Sequence, residues 1–514
     1  MSLQNKYNKR IAQNTIFLYF RMLIVLGVNF YTTRLILNIL GIADYGIYNI
    51  VSGIVVLFSV FNSAMSACML RFLNVAIGKN QLTEAANIFA VCHTFFLATV
   101  LVIVLLGESV GIWFLNKKLN IPTERLMAAN WLFQFSLIAV SIKTMQIPYQ
   151  TAIISFEKMN FFAALSILEA MLLLSSVLVL KILRGDLLVI YGVCTAISAG
   201  IIWSCYLYYC RTRFGMVCRS LRIHSRKCLK EIFYFSGWSF LGAFANMSKQ
   251  QGVNIVINLF CGVTVNAAMG IATQIGGAVN LLITNFQQAF HSRIIQSYTQ
   301  DDKTYFFNLL LYTSKYSFFL LWLIVLPILA ETELLLGFWL GKFPEHLISF
   351  TRLYLIWLLF DALSGPLWIA IQATGKIGIY QTIISMVIIS NLLFSYLFLS
   401  AGFHAISTLW ISLALNAVCL IYRIIHLYYT LHFPALQYIV TVLGRCFLIA
   451  LISGTLGVIL QNLADDFWQQ GCWVIIVSVL SNITLIVLLG LSSKERTEIL
   501  SLFKSKWKNT VKQQ

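Results

Sequence analysis

Charge is what this sequence has least of. Across 514 residues only 11% are Asp, Glu, Lys or Arg, where soluble proteins carry roughly 25%. A surface so poor in charge excludes an ordinary water-soluble domain. Acids are rarer still, with 18 Asp and Glu against 36 Lys and Arg. Several chemistries lack their residues as well. No GxxxxGK[ST] loop is present, so the chain does not itself spend ATP. His93, His291, His404 and His426 stand apart from any HExxH or paired carboxylates, and each reads as a polar interface residue. The eleven cysteines include no CxxC pair and no His/Cys spacing suited to zinc. Cys68, Cys92, Cys194, Cys419 and Cys446 sit in apolar segments and read as small buried residues. No metal and no cofactor is therefore expected. No long loop between apolar segments could house a catalytic site, so an enzyme is not expected either. The polar stretch Met1 to Arg10 carries no cleavable signal, which makes the first apolar segment an expected signal-anchor.

Apolar residues fill the space that charge leaves. They make up 59% of the chain, at a mean hydropathy of +0.83. Spanning the hydrocarbon of a bilayer takes about 20 predominantly apolar residues per helix. Segments of that kind fall at 11–40, 45–69, 84–106, 127–147, 161–183, 187–209 and 232–260. A second set falls at 267–289, 305–329, 347–372, 377–399, 405–429, 437–460 and 471–491. The runs are too long and continuous for barrel strands. The expected fold is an all-α polytopic membrane protein of about fourteen transmembrane helices.

The net charge of +18 is concentrated beside these spans. Its densest cluster is Arg211, Arg213, Arg219, Arg222, Arg226, Lys227 and Lys230; another is Lys494, Arg496, Lys504, Lys506, Lys508 and Lys512. No basic folded domain is present, which excludes nucleic acid. With the N-terminus inside, alternate loops collect these clusters together with Lys6, Lys9, Arg10, Arg71, Lys79, Lys158, Arg293, Lys303 and Lys376. The opposite loops hold Lys117, Lys118, Arg125, Arg184 and Lys342. Positive residues favour the cytoplasm, so both termini are expected there.

The chain also repeats itself at a spacing near 220 residues. Gly41 follows Leu37-Asn38-Ile39-Leu40, and Gly262 follows Ile257-Asn258-Leu259-Phe260-Cys261. Arg71 answers Arg293, Pro122 answers Pro344, and Tyr208-Tyr209 answers Tyr428-Tyr429. Pro148, Ala152 and Lys158 match Pro366, Ala370 and Lys376. Two parallel six-helix lobes are expected, 1–210 and 231–430, joined by a basic cytoplasmic linker at 211–230. Two additional helices (431–491) and a basic cytoplasmic tail (492–514) follow. Parallel repeats are related by an axis along the membrane normal, with the substrate path between them.

Polar residues inside spans are costly and usually face a bundle interior or a watery cavity. In the seventh span Asn246, Gln250, Asn254 and Asn258 recur every four residues, with Lys249 among them. That spacing forms one slowly drifting stripe. It either glues helices together or, given the lysine, lines a wet cavity. The first span carries Arg21 and Arg34, either of which could snorkel to an interface. Lys143, Lys315 and Arg352 lie in later spans, and the clear deep acids are Glu169 and Asp361. Lys143 and Asp361 each stand five residues before a repeated proline; they either pair across the lobes as a gate or coincide by chance. A cavity lined by unpaired cations is relieved by an anionic ligand. The expected substrate-binding residues are Arg21, Arg34, Lys143, Asn246, Lys249, Gln250 and Arg352.

The opening stretch Asn14-Thr15-Ile16-Phe17-Leu18-Tyr19-Phe20-Arg21 resembles polysaccharide flippases. So do Arg34 to Gly41, Asp44-Tyr45-Gly46-Ile47-Tyr48 and Arg71-Phe72-Leu73. These flippases form the O-antigen and capsule repeat-unit branch of the multidrug/oligosaccharidyl-lipid/polysaccharide exporter superfamily. The resemblance implies a substrate, an oligosaccharide repeat unit on an undecaprenyl pyrophosphate carrier. It further implies export to the periplasmic leaflet of a bacterial inner membrane by alternating access, for lipopolysaccharide or capsule biosynthesis. Its partners would be membrane lipids and other polysaccharide assembly proteins, and Arg21 and Arg34 fall on its motif positions. Competing readings are a peptidoglycan-precursor flippase, a drug or cation antiporter of the same superfamily, and a polytopic polymerase or glycosyltransferase. An antiporter should carry carboxylates where this chain has cations. A polymerase needs a large periplasmic loop.

Overall fold

The computed structural model describes residues 3–57, 60–78, 81–156, 158–218, 226–299, 303–374, 378–462, 467–491 and 495–496. For some helical residues, 3–20 among them, it describes the backbone alone. In lipid every backbone N–H and C=O must find a partner within the chain, which leaves the helix as the form for long apolar runs. The described residues contain no strand. The helices are α1 (Leu3–Leu57), α2 (Val60–Gly78), α3 (Leu82–Leu106), α4 (Leu126–Ser155), α5 (Met159–Val179), α6 (Leu187–Arg213) and α7 (Arg226–Thr299). They continue as α8 (Lys303–Ala330), α9 (Thr332–Leu340), α10 (Leu347–Ala373), α11 (Gly378–Ser400), α12 (Ser407–Leu431), α13 (Arg445–Asn462) and α14 (Phe467–Leu485). Hydroxyls within them bond back along the helix, as Thr32 Oγ1 does to the Val28 carbonyl at 2.7 Å and Thr99 Oγ1 to that of Phe95 at 2.9 Å.

Twelve segments among the described residues are long and apolar enough to cross a bilayer. The chain is a multi-pass membrane protein. Two of the twelve, Arg21–Leu57 and Gln251–Gln287, run through a backbone break. Gly41 (φ 80°, ψ 172°) and Gly262 (φ 81°, ψ −175°) share one conformation that a side chain would strain. The expected division of these stretches, between 40 and 45 and between 260 and 267, brackets the two glycines.

Two compact units make up the molecule. The first comprises residues 1–270 with 388–408, and the second 271–387 with 409–514. Most of α7 and the later half of α11 belong to the first unit. Within it, one buried cluster gathers Met65, Leu73, Phe89, Phe96, Tyr149 and Tyr206. Another gathers Ile47, Ile50, Ile54, Phe133, Leu188 and Val263. In the second unit α8 packs on α10, α13 and α14. Trp322 Nε1 donates to Ser453 Oγ at 2.8 Å, and Asn482 Nδ2 donates to the Trp322 carbonyl at 3.3 Å.

The Asp44-Tyr45-Gly46-Ile47-Tyr48 motif builds a corner. Asp44 accepts from Arg125 Nε at 2.9 Å and also from Nη2. The same guanidinium reaches Asp186 from Nη1 at 2.9 Å and from Nη2 at 3.2 Å. Asp186 in turn caps α6 by accepting from the Leu188 amide at 3.0 Å. One planar fork thus ties the start of α4 to α1 and α6. Arg125→Ala is expected to cost about 1–2 kcal/mol, since the fork is partly exposed and screened. Arg125→Lys should recover less than half, because a lysine cannot serve two carboxylates bidentately. Thermal unfolding in detergent checks this; equal melting of the Lys variant and wild type would contradict it.

The tail departs from expectation at its first turn. Glu495 is buried against Lys315 (Nζ to Oε1 2.6 Å), and Arg496 Nε donates to the Leu491 carbonyl at 3.2 Å. Glu495–Arg496 therefore belongs to the second unit instead of a free basic tail, because a carboxylate there neutralises a lysine that the apolar packing could not otherwise hold. Residues 492–494 and 497–514 lie outside the described residues.

Candidate functional site

Two ionisable side chains of the first unit meet, and a third lies within electrostatic reach of them. Glu169 is the eleventh of the 21 residues of α5, so it lies about 15 Å from either helix end. Lys143 stands on α4, five residues before Pro148. The proline has no N–H for the Thr144 carbonyl, which loosens the helical ladder one turn beyond the lysine. Lys143 Nζ lies 2.9 Å from Glu169 Oε1. The pair stays reachable, with the lysine side chain 48% and the glutamate 32% exposed. Arg21 approaches from α1 with Cζ 4.5 Å from the centre of the Phe162 ring, one aromatic face beneath a cation. Its Nε is buried without a hydrogen-bond partner among the described residues. Glu169 and the Tyr206 hydroxyl both act on Arg21 electrostatically. Two cations thus act on one carboxylate, Lys143 at Glu169 halfway along α5 and Arg21 at Phe162, the fourth residue of that helix, and the group keeps a net positive charge.

Polar rungs continue along α4. Asn62 Nδ2 donates to Thr144 Oγ1 at 2.8 Å, and Ser66 Oγ and Thr151 Oγ1 stand 3.5 Å apart. His93 Nε2 lies 3.4 Å from the Tyr149 hydroxyl and stacks on Phe89, an interface role in keeping with its isolation in the sequence.

The unit also contains an apolar cavity of about 730 Å³. Phe244, Gly252 and Leu259 of α7 line it with Leu392 and Tyr396 of α11 and Leu57 of α1.

This is the architecture by which known structures can be compared. No protein-family model and no curated protein sequence matches the chain. Solved structures do match. The lipid II flippase MurJ, in an inward closed conformation, is 13% identical; the match covers 92% of this chain and 98% of that one, at a TM-score of 0.64. A multidrug resistance MATE family transporter of the MOP superfamily, inward-facing, is 15% identical over 81% of this chain and 98% of its own, at 0.68. The fold is that of MOP superfamily transporters. A further example is a MOP superfamily transporter from Pyrococcus furiosus, described by the reverse polarity of its binding pocket. It is 15% identical over 80% of this chain and 93% of its own, at 0.59.

Among the expected site residues, the first unit pairs Lys143 with Glu169 and holds Arg21 within electrostatic reach of the same carboxylate. Asp361, the residue expected to pair with Lys143 across the lobes, belongs to the second unit. The partner of Lys143 is Glu169, because α4 and α5 bring that acid within reach inside one unit. Asp361 forms no ion pair among the described residues and acts electrostatically on Tyr354. Arg352 is tied at the start of α9, where its Nε donates to Thr332 Oγ1 at 3.1 Å. Arg34 lies on an exposed face of α1. Asn246, Lys249 and Gln250 have side chains outside the described residues.

The described part of their stripe is buried, and Asn254 Oδ1 and Asn258 Nδ2 have no hydrogen-bond partner among the described residues. Asn258 is fully buried and accepts at Oδ1 from the Asn120 amide at 3.2 Å. Asn254 is buried, and its carbonyl accepts from Asn266 Nδ2 at 2.7 Å. The expectation of unpaired deep cations is corrected too: Lys143 and Lys315 both have carboxylate partners, since an isolated charge at that depth costs too much. Glu169 stood out in the sequence as a deep acid, but no spacing linked it to Lys143. Tyr206 and Phe162 carried no signal at all, since aromatic residues fill every span.

Proposed function

We propose that the protein is a flippase that carries the anionic head group of a lipid-linked oligosaccharide from one leaflet to the other. The single observation that carries this reading is the Lys143–Glu169 pair halfway along α5, with the Arg21 guanidinium within electrostatic reach of the same carboxylate. Two cations there are suited to the two phosphates of a polyprenyl diphosphate, which would replace lost hydration with charge-assisted hydrogen bonds. A cation antiporter would call for the opposite sign. The fold adds support, since the likeness to the lipid II flippase extends over 92% of the chain. The resemblance of the N-terminal motifs selects a polysaccharide repeat unit as the sugar. The wide match to the lipid II flippase favours a peptidoglycan precursor as the second reading, and both cargoes share the diphosphate. A head group of charge near −2 moving outward runs with an inside-negative potential, which contributes about 2.3 kcal/mol per charge per 100 mV. The inner membrane, cytoplasmic termini and assembly partners belong to this same reading.

The test is a proteoliposome assay that follows fluorescent polyprenyl-diphosphate oligosaccharides across the bilayer. Wild type should flip them, and Arg21→Ala or Lys143→Ala should slow flipping about tenfold, a loss of ~1.4 kcal/mol in transition-state binding. Wild-type rates in both variants would refute the proposal. Comparison of repeat-unit and peptidoglycan precursors separates the two cargoes.

A further inference from the structure

We infer that Glu169 is an internal counter-anion: it occupies the head-group subsite of the empty protein, and the substrate diphosphate must displace it from Lys143. This deepens the proposed function and rests on it. The geometry assigns the role in three steps. Lys143 is held by Glu169 at 2.9 Å, yet nearly half of its side chain remains open, so an incoming oxyanion can reach the ammonium without unfolding a helix. Arg21 lies within the electrostatic reach of the same carboxylate but keeps a buried Nε with no partner among the described residues. The guanidinium is therefore anchored on Phe162 with donor capacity to spare. Last, the cluster holds one negative charge where two cations would accept more. A diphosphate satisfies both cations better than a single carboxylate can, which makes exchange favourable on entry. Its own charge then faces Glu169, and like-charge repulsion drives release. A site with two cations and no acid would bind the diphosphate more tightly and let it go more slowly.

Glu169 is thus a specificity-determining residue that tunes affinity downward, and its removal should produce a gain. The full-length protein in nanodiscs is titrated with two probes, inorganic pyrophosphate and farnesyl diphosphate, which separate the head group from the lipid-borne form. Glu169→Gln is expected to tighten binding of both about three- to tenfold, the range of a partly exposed ion pair within a cluster. It should also slow flipping. Glu169→Asp, which keeps the charge, should bind near the wild-type level. A merely structural role for Glu169 would give weaker binding, never tighter.

Binding by Glu169→Gln that is equal to or weaker than wild type, with Arg21→Ala and Lys143→Ala both weakened, overturns the counter-anion and leaves the anion site standing. Equal binding by all four variants and wild type removes the anion site, and with it the proposed function. Tightening towards farnesyl diphosphate but not pyrophosphate also overturns the inference, because a counter-anion acts on the phosphates and not on the chain.

Discussion

Gly46→Ala is expected to reduce flipping more than tenfold while the chain still inserts into the membrane. Just beyond its Gly41 break, α1 meets α7 just beyond its Gly262 break. There the Gly46 backbone lies against the Val263 carbonyl, and a Cβ at Gly46 would collide with that oxygen. The opposing group is backbone, so no rotamer change can relieve the clash. The contact is also bonded. Asn49 Nδ2 donates to the Asn266 carbonyl at 3.1 Å and to its Oδ1 at 3.2 Å. Asn266 is fully buried, and Gly270 faces Asn49. Overpacking a contact of this kind costs about 1–3 kcal/mol, and buried amides that lose their partners add to it. Gly27→Ala is the control on the same helix. Nothing lies within 4 Å of a Cβ at Gly27, so alanine there should be neutral or stabilising by up to about 1 kcal/mol. The measurements are flipping rate and thermal unfolding for both variants at matched expression. Wild-type values for Gly46→Ala, or equal losses for the two, would remove the close-approach argument.

Lys315→Ala should destabilise the protein by about 3–5 kcal/mol, the cost of leaving a buried charge without its partner. Lys315 and Glu495 are each 6% exposed, and their side chains meet at 2.6 Å. The Tyr316 hydroxyl donates to the same Oε1 at 3.1 Å, and the ammonium lies 5.6 and 5.4 Å from the Tyr312 and Tyr316 ring centres. The double replacement Lys315→Met with Glu495→Leu removes both charges at similar volume. It should recover most of the loss, because neither ion then has to be stripped of water. Chemical unfolding in detergent distinguishes the cases. If the double variant is no more stable than the single one, Glu495 does not hold the chain after α14 through this pair.

The break at Gly41 and Gly262 was legible because a repeated glycine after a long apolar run marks a place where helix cannot continue as before. The two polar readings of the seventh span were equally open in the sequence. Asn258 Oδ1 accepts from the Asn120 amide and the Asn254 backbone carbonyl from Asn266, neither of which the spacing foretold. Glu495 lies in the stretch expected as a basic cytoplasmic tail, and no spacing marked it as the partner of Lys315. A run of lysines says nothing about which acid within it will find a buried partner 180 residues away.

Composition and the length of the apolar runs determined that this chain lives in lipid as a set of helices. A polar backbone must satisfy its hydrogen bonds within the chain there, and such runs are too long for barrel strands. The repeated glycines, Gly41 and Gly262, marked where two of those helices break. Tertiary structure decided the pairing of charges. Lys143 faces Glu169, and Lys315 faces Glu495. Charge pairing depends on which helix faces lie within about 4 Å of each other, and hydropathy, which reports only how apolar a helix is, carries no record of its rotation about its own axis.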